Sequence, residues 1–463
     1  MSVDEFAVAS RADPKTQVLD RLLRLGADVR PGEGPTALLL SFAGFLTLAC
    51  YYTIRPLRAA FLLPVNLALP GGLVIDGPVI TSYSGAVLAA VFLFSVPAYS
   101  ALASRVNRMR LINLVCLFFT STLLIFYAFG HVMPPAALGI GFFLWVGVFN
   151  LMVQAQFWSF ANDLYTAEQG KRLFAIVGVG ATLGGVAGAR TAAVVIRAFG
   201  EFAPMVVAAT LLATCMLVLN IVNQRERGGT PLIERVADQP LGRQGGFQLV
   251  LAHRYLRLIA LLTLTIQITN TNGNYLLDAT LSETARAAVA GTGLSGRQFI
   301  GAFRAEMDFY QNVLVVLIQF FLVSRIFKHV GVGGALFIAP AIAVVHYGAF
   351  AGAPVLSVIR VGKIAENATD YSLQNTLRRA LFLPTSREAK YKGLQAVETF
   401  FWRAGDMLSA LAVLIVVQIF GLGVREFALI NLGIVGLWVL IATNLRRESR
   451  RHQKPSAPPA PAL

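Results

Sequence analysis

The chain has 463 residues, of which 56% are hydrophobic and only 14% charged, and its mean hydropathy is +0.65. This composition excludes a soluble globular protein and predicts an integral membrane protein. The net charge is +15. In a soluble chain that charge would indicate nucleic-acid binding. Here the basic residues concentrate in loops and tails between apolar segments, so we expect no nucleic-acid partner.

Twelve apolar segments each have about the 20 residues that a helix needs to cross the hydrocarbon core. They lie near 36–54, 79–102, 111–130, 136–158, 173–196, 202–222, 258–280, 309–324, 332–352, 354–373, 398–420 and 424–444. The stretch 223–257 interrupts this pattern with six arginines and leaves six spans on either side. The sequence therefore predicts an all-α membrane protein of about twelve transmembrane helices in two six-helix halves.

The domain organisation follows from this division. We expect a cytoplasmic N-terminal segment (1–35), two membrane halves (36–222 and 258–444), a cytoplasmic linker (223–257) and a C-terminal tail (445–463). The tail is first basic and then rich in Pro and Ala, which is typical of a disordered segment. With both termini in the cytoplasm, the inside loops and tails hold 28 of the 39 Lys and Arg residues, as the positive-inside rule requires.

Six basic residues lie inside the predicted spans: Arg55, Arg58, Arg190, Arg360, Lys363 and Arg403. A charge at bilayer depth is costly, and it usually lines a solute path or holds a ligand. The planar fork of arginine suits phosphate or carboxylate. The excess of positive charge therefore predicts an anionic solute.

The end of the first span reads YYTIRPLRAAF (51–61). Arg55 and Arg58 are three residues apart and share a helix face, while Pro56 breaks or kinks the helix between them. The alternative is that both arginines reach out to the membrane surface. For Arg190 in span five, the alternative to ligand binding is a structural salt bridge. In the same span, Gly180, Gly184 and Gly188 repeat every four residues and predict close helix packing.

Polar uncharged residues also fall inside the spans. Gln156 lies near the end of span four, and Asn270 and Asn272 lie in the polar stretch QITNTNGNYLL (267–277) of span seven. Amides at bilayer depth need hydrogen-bond partners. They either bind the solute or hold helices together, and the sequence leaves both interpretations open.

Two acidic residues accompany the basic ones in spans ten and eleven. Arg360, Lys363 and Glu366 recur at three-residue steps and form one polar stripe. Arg403 and Asp406 are also three apart. They either form a salt bridge, or Asp406 carries protons, as membrane carboxylates do in coupled transporters.

Four stretches together are similar to the ATP/ADP translocase family of plastids and obligate intracellular bacteria. They are YYTIRPLR, FWSFAND followed by EQGKRLFAIVGVGATL and GART, the polar span seven, and the REAKYKG and RAGD region. The resemblance implies a major-facilitator-like nucleotide exchanger in the bacterial inner membrane, in which Arg58 and Arg190 match basic positions of the family. The chain departs from the family at Ala59, where an aspartate is usual, and at Asp406, where a lysine is usual. It also lacks the family's acidic residues in spans four and seven.

The most consistent interpretation is a secondary active transporter that moves an anionic solute by alternating access. The expected solute is a nucleotide in ATP/ADP-type exchange, or a similar phosphorylated metabolite. The alternative is a proton-coupled transporter or exporter of an unrelated small molecule, which would depend on Asp406, Glu366 or Asp278. No nucleophile–base pair or metal-ligand cluster is evident, so we expect neither an enzyme nor a cofactor or metal. The sequence leaves the oligomeric state open, and a monomer is compatible with it.

Overall fold

The computed structural model describes residues 29–30, 32–68, 74–103, 106–165, 167–226, 246–386, 389 and 393–453. Most of the predicted N-terminal segment, most of the linker and the Pro/Ala-rich end of the tail lie outside these residues. The described part of the chain is almost entirely helical. A membrane favours this structure, because the backbone N–H and C=O groups of a long apolar segment can form their hydrogen bonds within a helix.

Eighteen α-helices are described. They are α1 (Gly34–Ile54), α2 (Leu57–Leu62), α3 (Gly77–Ala103), α4 (Arg108–Phe129), α5 (Pro135–Leu164), α6 (Ala167–Phe199), α7 (Ala203–Glu226), α8 (Gly246–Ala252), α9 (Arg254–Thr292), α10 (Gly296–Leu317), α11 (Val323–His329), α12 (Gly331–Ala335), α13 (Ile338–Gly352), α14 (Leu356–Thr369), α15 (Asn375–Phe382), α16 (Leu394–Ala396), α17 (Trp402–Val413) and α18 (Val424–Gln453). Four π-helical stretches continue neighbouring helices at Ile318–Leu322, Asp370–Gln374, Val397–Phe401 and Leu414–Ile419.

Each predicted span falls within a helical stretch, and among the described residues nine stretches are long and apolar enough to cross a membrane. The other three contain α3, α9 and α14. In α3 the apolar helical part is Gly77–Phe92, which is shorter than the nine stretches. Helices α9 and α14 carry the polar stretch of span seven and the polar stripe of span ten. A multi-pass helical membrane protein is thus confirmed, and the count of twelve remains a prediction.

The first predicted helix break is confirmed. Helix α1 ends at Ile54 and α2 begins at Leu57, so Arg55 and Pro56 lie in the turn between them. A short antiparallel hairpin follows, in which β1 (Asn66–Ala68) pairs with β2 (Val74–Asp76). This hairpin was not predicted, because three-residue strands are too short to show an alternating pattern in the sequence.

The expected start of span eight was wrong. The apolar pattern placed it at residue 309, whereas α10 begins at Gly296. Arg304 and Asp308, which precede the predicted span, therefore lie within a helix. The first half of α10 is amphipathic, with Arg304, Asp308 and Gln311 recurring at helical spacing. Its mean hydropathy is too low for an apolar search to detect.

The close packing predicted for the glycine repeat is confirmed. A Cβ at Gly184 would lie 2.1 Å from the carbonyl oxygen of Phe45, and one at Gly188 would lie 2.3 Å from that of Ala49. Only glycine lets the backbones of α1 and α6 approach this closely.

The described residues divide into two compact units. Unit 1 takes its described residues from Met1–Val65, Ala90–Arg235 and Gly291–Asn312. Unit 2 takes them from Asn66–Ala89, Val236–Ala290 and Val313–Leu463. Within unit 1, buried Phe61, Phe119, Phe142 and Phe149 belong to one apolar core, and several of them meet edge to face. The two predicted membrane halves, 36–222 and 258–444, were drawn as continuous stretches of sequence, whereas each unit collects several stretches. The halves therefore remain a prediction.

Candidate functional site

Unit 1 contains a cluster of three arginines around one carboxylate, which we call the arginine cluster: Arg55, Arg58, Arg304 and Asp308. Arg55 Nη1 lies 3.1 Å from Asp308 Oδ1, and the two side chains are only 22% and 11% exposed. The charges of Arg55, Arg304 and Arg58 all act on the Asp308 carboxylate. Three guanidinium groups and one carboxylate give the cluster a net charge of +2.

Aromatic rings position the two arginines near the helix break. The Arg58 guanidinium lies 3.8 Å from the ring centroid of Phe143 on α5, and that of Arg55 lies 5.3 Å from the ring centroid of Tyr52. A ring face attracts a cation without neutralising it. These contacts orient both guanidinium groups while their positive charge remains.

Close contacts hold α10 in place on both sides of Asp308. A Cβ on Gly301 would lie 3.2 Å from Ile196 and 3.3 Å from Ala60, so the helix packs tightly there. Asn312 Nδ2 donates a hydrogen bond to the Gly185 carbonyl oxygen at 3.1 Å. Asp308 is therefore presented by a fixed helix segment.

Arg190 lies on α6 with an exposed side chain. Its guanidinium is 5.8 Å from the ring centroid of Phe309, the residue after Asp308. Among the residues that the structure describes, no carboxylate forms an ion pair with Arg190. The structural salt bridge considered from the sequence is thus not seen in the described part of the chain, and the charge is available to a ligand.

Gln156 lies apart from the arginine cluster. It is thirteen residues beyond Phe143 on α5, which corresponds to roughly 20 Å along the helix. There it lines a cavity of about 230 Å³ together with Arg108, Ser159 and Asp163. Arg108 Nη1 and Asp163 Oδ2 form an ion pair at 2.9 Å. The structure therefore does not bring Gln156 together with Arg58.

In unit 2, Lys363 is completely buried and fully engaged. Its Nζ donates to Asn270 Oδ1 at 2.6 Å and to the Asn270 carbonyl oxygen at 3.2 Å. It also lies 3.3 Å from Glu366 Oε2. Two members of the polar stripe thus contact each other, while Arg360, the third, is half-buried.

Glu366 has two further partners. The Tyr347 hydroxyl lies 2.9 Å from Glu366 Oε2, and His346 Nδ1 lies 3.2 Å from the same oxygen. The network is tightly packed, because a Cβ on Gly362 would lie 1.9 Å from the His346 ring. A Cβ on Gly273 would lie 2.2 Å from the Tyr347 hydroxyl oxygen.

The predicted pair of Arg403 and Asp406 is present, with Arg403 Nη1 3.3 Å from Asp406 Oδ2. The other carboxylate oxygen accepts hydrogen bonds from Gln267 Nε2 at 2.6 Å and from Thr271 Oγ1 at 2.9 Å. Asp406 therefore has a partner on each oxygen.

Asn272 connects three helices. Its amide nitrogen donates to Asn431 Oδ1 at 3.1 Å, and its amide oxygen accepts from Ser409 Oγ at 2.6 Å. All three side chains are buried. In this structure Asn272 holds α9, α17 and α18 together. The sequence had left open whether this amide binds the solute or joins helices.

The two units differ in charge balance. In unit 2 each of three buried or half-buried bases has one acidic partner: Lys363 with Glu366, Arg403 with Asp406, and Arg378 with Asp370 at 3.0 Å. In unit 1 three arginines share one carboxylate. Arg55, Arg58 and Arg304 therefore give the arginine cluster an excess of positive charge over its one carboxylate.

A family model described as TLC ATP/ADP transporter matches residues 143–449, which is well over half of the chain. The chain belongs to this family. It is similar to ADP,ATP carrier protein 1 of Chlamydia pneumoniae, with 21% identity over 372 residues that cover 68% of this chain and 70% of that protein. It is equally similar to the same carrier of Chlamydia trachomatis serovar D, with 21% identity over 339 residues and coverage of 64% and 62%.

Solved transporter structures show the fold of this TLC family member. The POT family transporter PepTSo superposes with a TM-score of 0.62 at 12% identity, covering 91% of this chain and 99% of that one. The nucleoside transporter NupG gives 0.61 at 12% identity, with coverage of 90% and 99%. The fold is thus major-facilitator-like, as predicted. Membership in the TLC ATP/ADP transporter family makes the protein a multi-pass membrane transporter and not an enzyme, as predicted.

Arg304, Asp308 and Tyr347 were not predicted to belong to a site. For the first two, a signal was present in the helical spacing of Arg304, Asp308 and Gln311. Tyr347 gave no such signal, because its partner Glu366 is 19 residues away on another helix.

Proposed function

We propose that this TLC family member exchanges nucleotides of the ATP and ADP type across a bacterial plasma membrane by alternating access. The observation that carries the proposal is the net charge of +2 on the arginine cluster, with Arg190 available on a neighbouring helix. Nucleotide phosphates carry several negative charges and fit arginine forks. The names of the Chlamydia relatives agree with this substrate.

In this proposal Arg55, Arg58 and Arg190 bind the phosphates directly. Their guanidinium groups are partly or fully accessible, and the aromatic contacts of Arg58 and Arg190 leave their charge intact. The other predicted contributors are Gln156, Asn270, Asn272, Arg360, Lys363 and Arg403. Lys363 and Arg403 would have to exchange a carboxylate partner for the substrate, so we assign them a secondary role.

The proposed orientation places both termini in the cytoplasm. It is supported by the concentration of Lys and Arg in the tails and alternate loops. Arg30 and Arg172 at one end of unit 1 belong to this basic side. The same concentration explains the net charge of +15 without a nucleic-acid partner.

The proton-coupled alternative requires a membrane acid that titrates freely. Asp406 and Glu366, two of its three candidates, lie in ion pairs with Arg403 and Lys363. The charge pattern therefore favours an anion exchanger.

The test is counterflow in proteoliposomes that contain the purified protein and are preloaded with ATP, ADP, inorganic phosphate, a dicarboxylate or nothing. We expect saturable uptake of labelled ATP and ADP only when a nucleotide is inside. Arg58→Ala and Arg190→Ala should abolish this uptake. Arg197→Ala is the matched control, because Arg197 is exposed and pairs with Glu306. Absence of nucleotide uptake by folded wild-type protein would refute nucleotide exchange and point to a smaller anion.

A further inference from the structure

Asp308 occupies the place on Arg55 that a phosphate oxygen would take. Its carboxylate is buried and lies 3.1 Å from Arg55 Nη1. Carboxylate and phosphate present the same kind of oxygen acceptor to a guanidinium fork. The cluster therefore contains an internal anion next to the groups proposed to bind an external one.

Arg304 belongs to the same set of charges. It lies one helical turn before Asp308 on α10, so the two side chains share a helix face. The charges of Arg304, Arg55 and Arg58 act on one another as well as on Asp308. Arg304 thus adds a third positive charge to the cluster.

Packing and a hydrogen bond hold the α10 segment that carries Asp308. Gly301 packs against Ile196 and Ala60 on one side of it, and Asn312 is hydrogen-bonded to Gly185 on the other. The negative charge of Asp308 therefore remains close to any bound anion. In a partly buried site, each unit charge has a large effect on affinity.

We propose that Asp308 is an internal counter-ion that sets how many phosphate charges the site accepts, and that Arg304 is a phosphate ligand of the same site. This inference rests on the proposed function, because it specifies the substrate charge at the proposed site. The three arginines favour a polyphosphate, and Asp308 limits that preference by one charge.

The experiment measures binding of adenosine mono-, di- and triphosphate and of inorganic triphosphate to the purified full chain. The readout is the ratio of the Kd for the monophosphate to the Kd for the triphosphate. Asp308→Asn adds one net positive charge and should raise this ratio about tenfold. Arg304→Gln removes one and should lower it about tenfold. The double variant has the wild-type net charge and should restore the wild-type ratio.

Glu306→Gln is the matched control. Glu306 lies on the same helix and also pairs with an arginine, Arg197, but it is outside the arginine cluster. Its ratio should equal that of the wild type. If Asp308→Asn fails to fold because it leaves a buried arginine unpaired, Arg304→Gln and the double variant still decide the question.

Unchanged ratios in folded Asp308→Asn and Arg304→Gln would overturn the inference, even if wild-type protein exchanges nucleotides. The protein could also fail to exchange nucleotides while the two variants still shift the ratio measured with inorganic triphosphate. That result would support the inference and refute only the proposed substrate. A wild-type protein that binds none of the four probes would overturn both.

Discussion

Arg172 forms a two-pronged ion pair with Glu33, from Nη1 to Oε2 at 3.0 Å and from Nη2 to Oε1 at 2.9 Å. Glu33 lies immediately before α1, and Arg172 lies near the start of α6. Gln169 Nε2 also donates to Glu33, at 3.2 Å. The pair thus ties the beginnings of two helices whose remaining length is joined by glycine-mediated backbone contacts.

The pKa of Glu33 follows from this geometry. Burial raises its pKa, but hydrogen bonds from Arg172, from the Arg30 backbone and from Gln169 outweigh burial, so the net pKa lies below the ordinary 4.5. A lowered pKa in the folded state means that Glu33 contributes its full stabilisation above pH 4.5. That contribution is lost as the pH falls through the lower folded value.

We therefore predict that Glu33→Gln lowers the free energy of unfolding by about 1–3 kcal/mol at pH 7, because Arg172 loses a half-buried ionic partner. The difference from wild type should shrink in acid. Thermal unfolding in detergent at pH 7 and below pH 4.5 measures both effects. Glu168→Gln is the control, since Glu168 and its partner Arg30 are exposed. An equal loss at both pH values would contradict the ionic explanation.

The glycine repeat on α6 gives a second prediction. Gly184→Ala should destabilise the protein by about 1–3 kcal/mol, because the added Cβ would lie 2.1 Å from the Phe45 carbonyl oxygen and force the helices apart. Gly178→Ala, on the same helix, is the matched control because its Cβ would meet nothing within 4 Å. Equal melting temperatures for the two variants would show that α1 and α6 separate without cost.

Features that depend on neighbouring residues could be predicted from the sequence. The apolar runs give helices, Pro56 gives the break after Ile54, and the glycines give close packing. The pairing of Arg403 with Asp406 also follows from a local spacing. In each case the interacting groups lie within one helix, or a single residue type carries the signal.

Features that depend on distant residues could not be predicted. His346 and Glu366 lie on different helices, and Asn272 meets Ser409 across 137 positions. The helix that carries Arg304 was predicted to begin only at residue 309, because the amphipathic half of α10 lacks an apolar run. A polar helix end inside a membrane protein is stabilised by tertiary contacts such as Gly301 with Ile196, and these leave no signal in a hydropathy pattern.

The buried pair of unit 2 gives a third prediction. Glu366→Gln should lower the free energy of unfolding by about 3–5 kcal/mol, because Lys363 is completely buried and would lose its acidic partner. The double variant Lys363→Met with Glu366→Gln should recover most of that loss, since no unpaired charge remains. Denaturation of each variant, followed by size-exclusion chromatography of the folded fraction, measures the two changes in unfolding free energy. Additive losses would mean that the two residues do not act as a pair.

Asp406 separates anion exchange from proton coupling. Its two oxygens accept hydrogen bonds from Arg403, Gln267 and Thr271, so both oxygens are held by neighbouring side chains. We predict that Asp406→Asn lowers the rate of nucleotide counterflow several-fold by releasing Arg403, and that the ratio of rates at pH 6 and pH 8 stays at the wild-type value. Glu398→Gln, which changes another acid ahead of the same helix, controls for loss of charge alone. If Asp406→Asn instead abolished a wild-type dependence of transport on an imposed pH gradient, Asp406 would be a proton carrier, and the salt bridge to Arg403 would be only one state of its cycle.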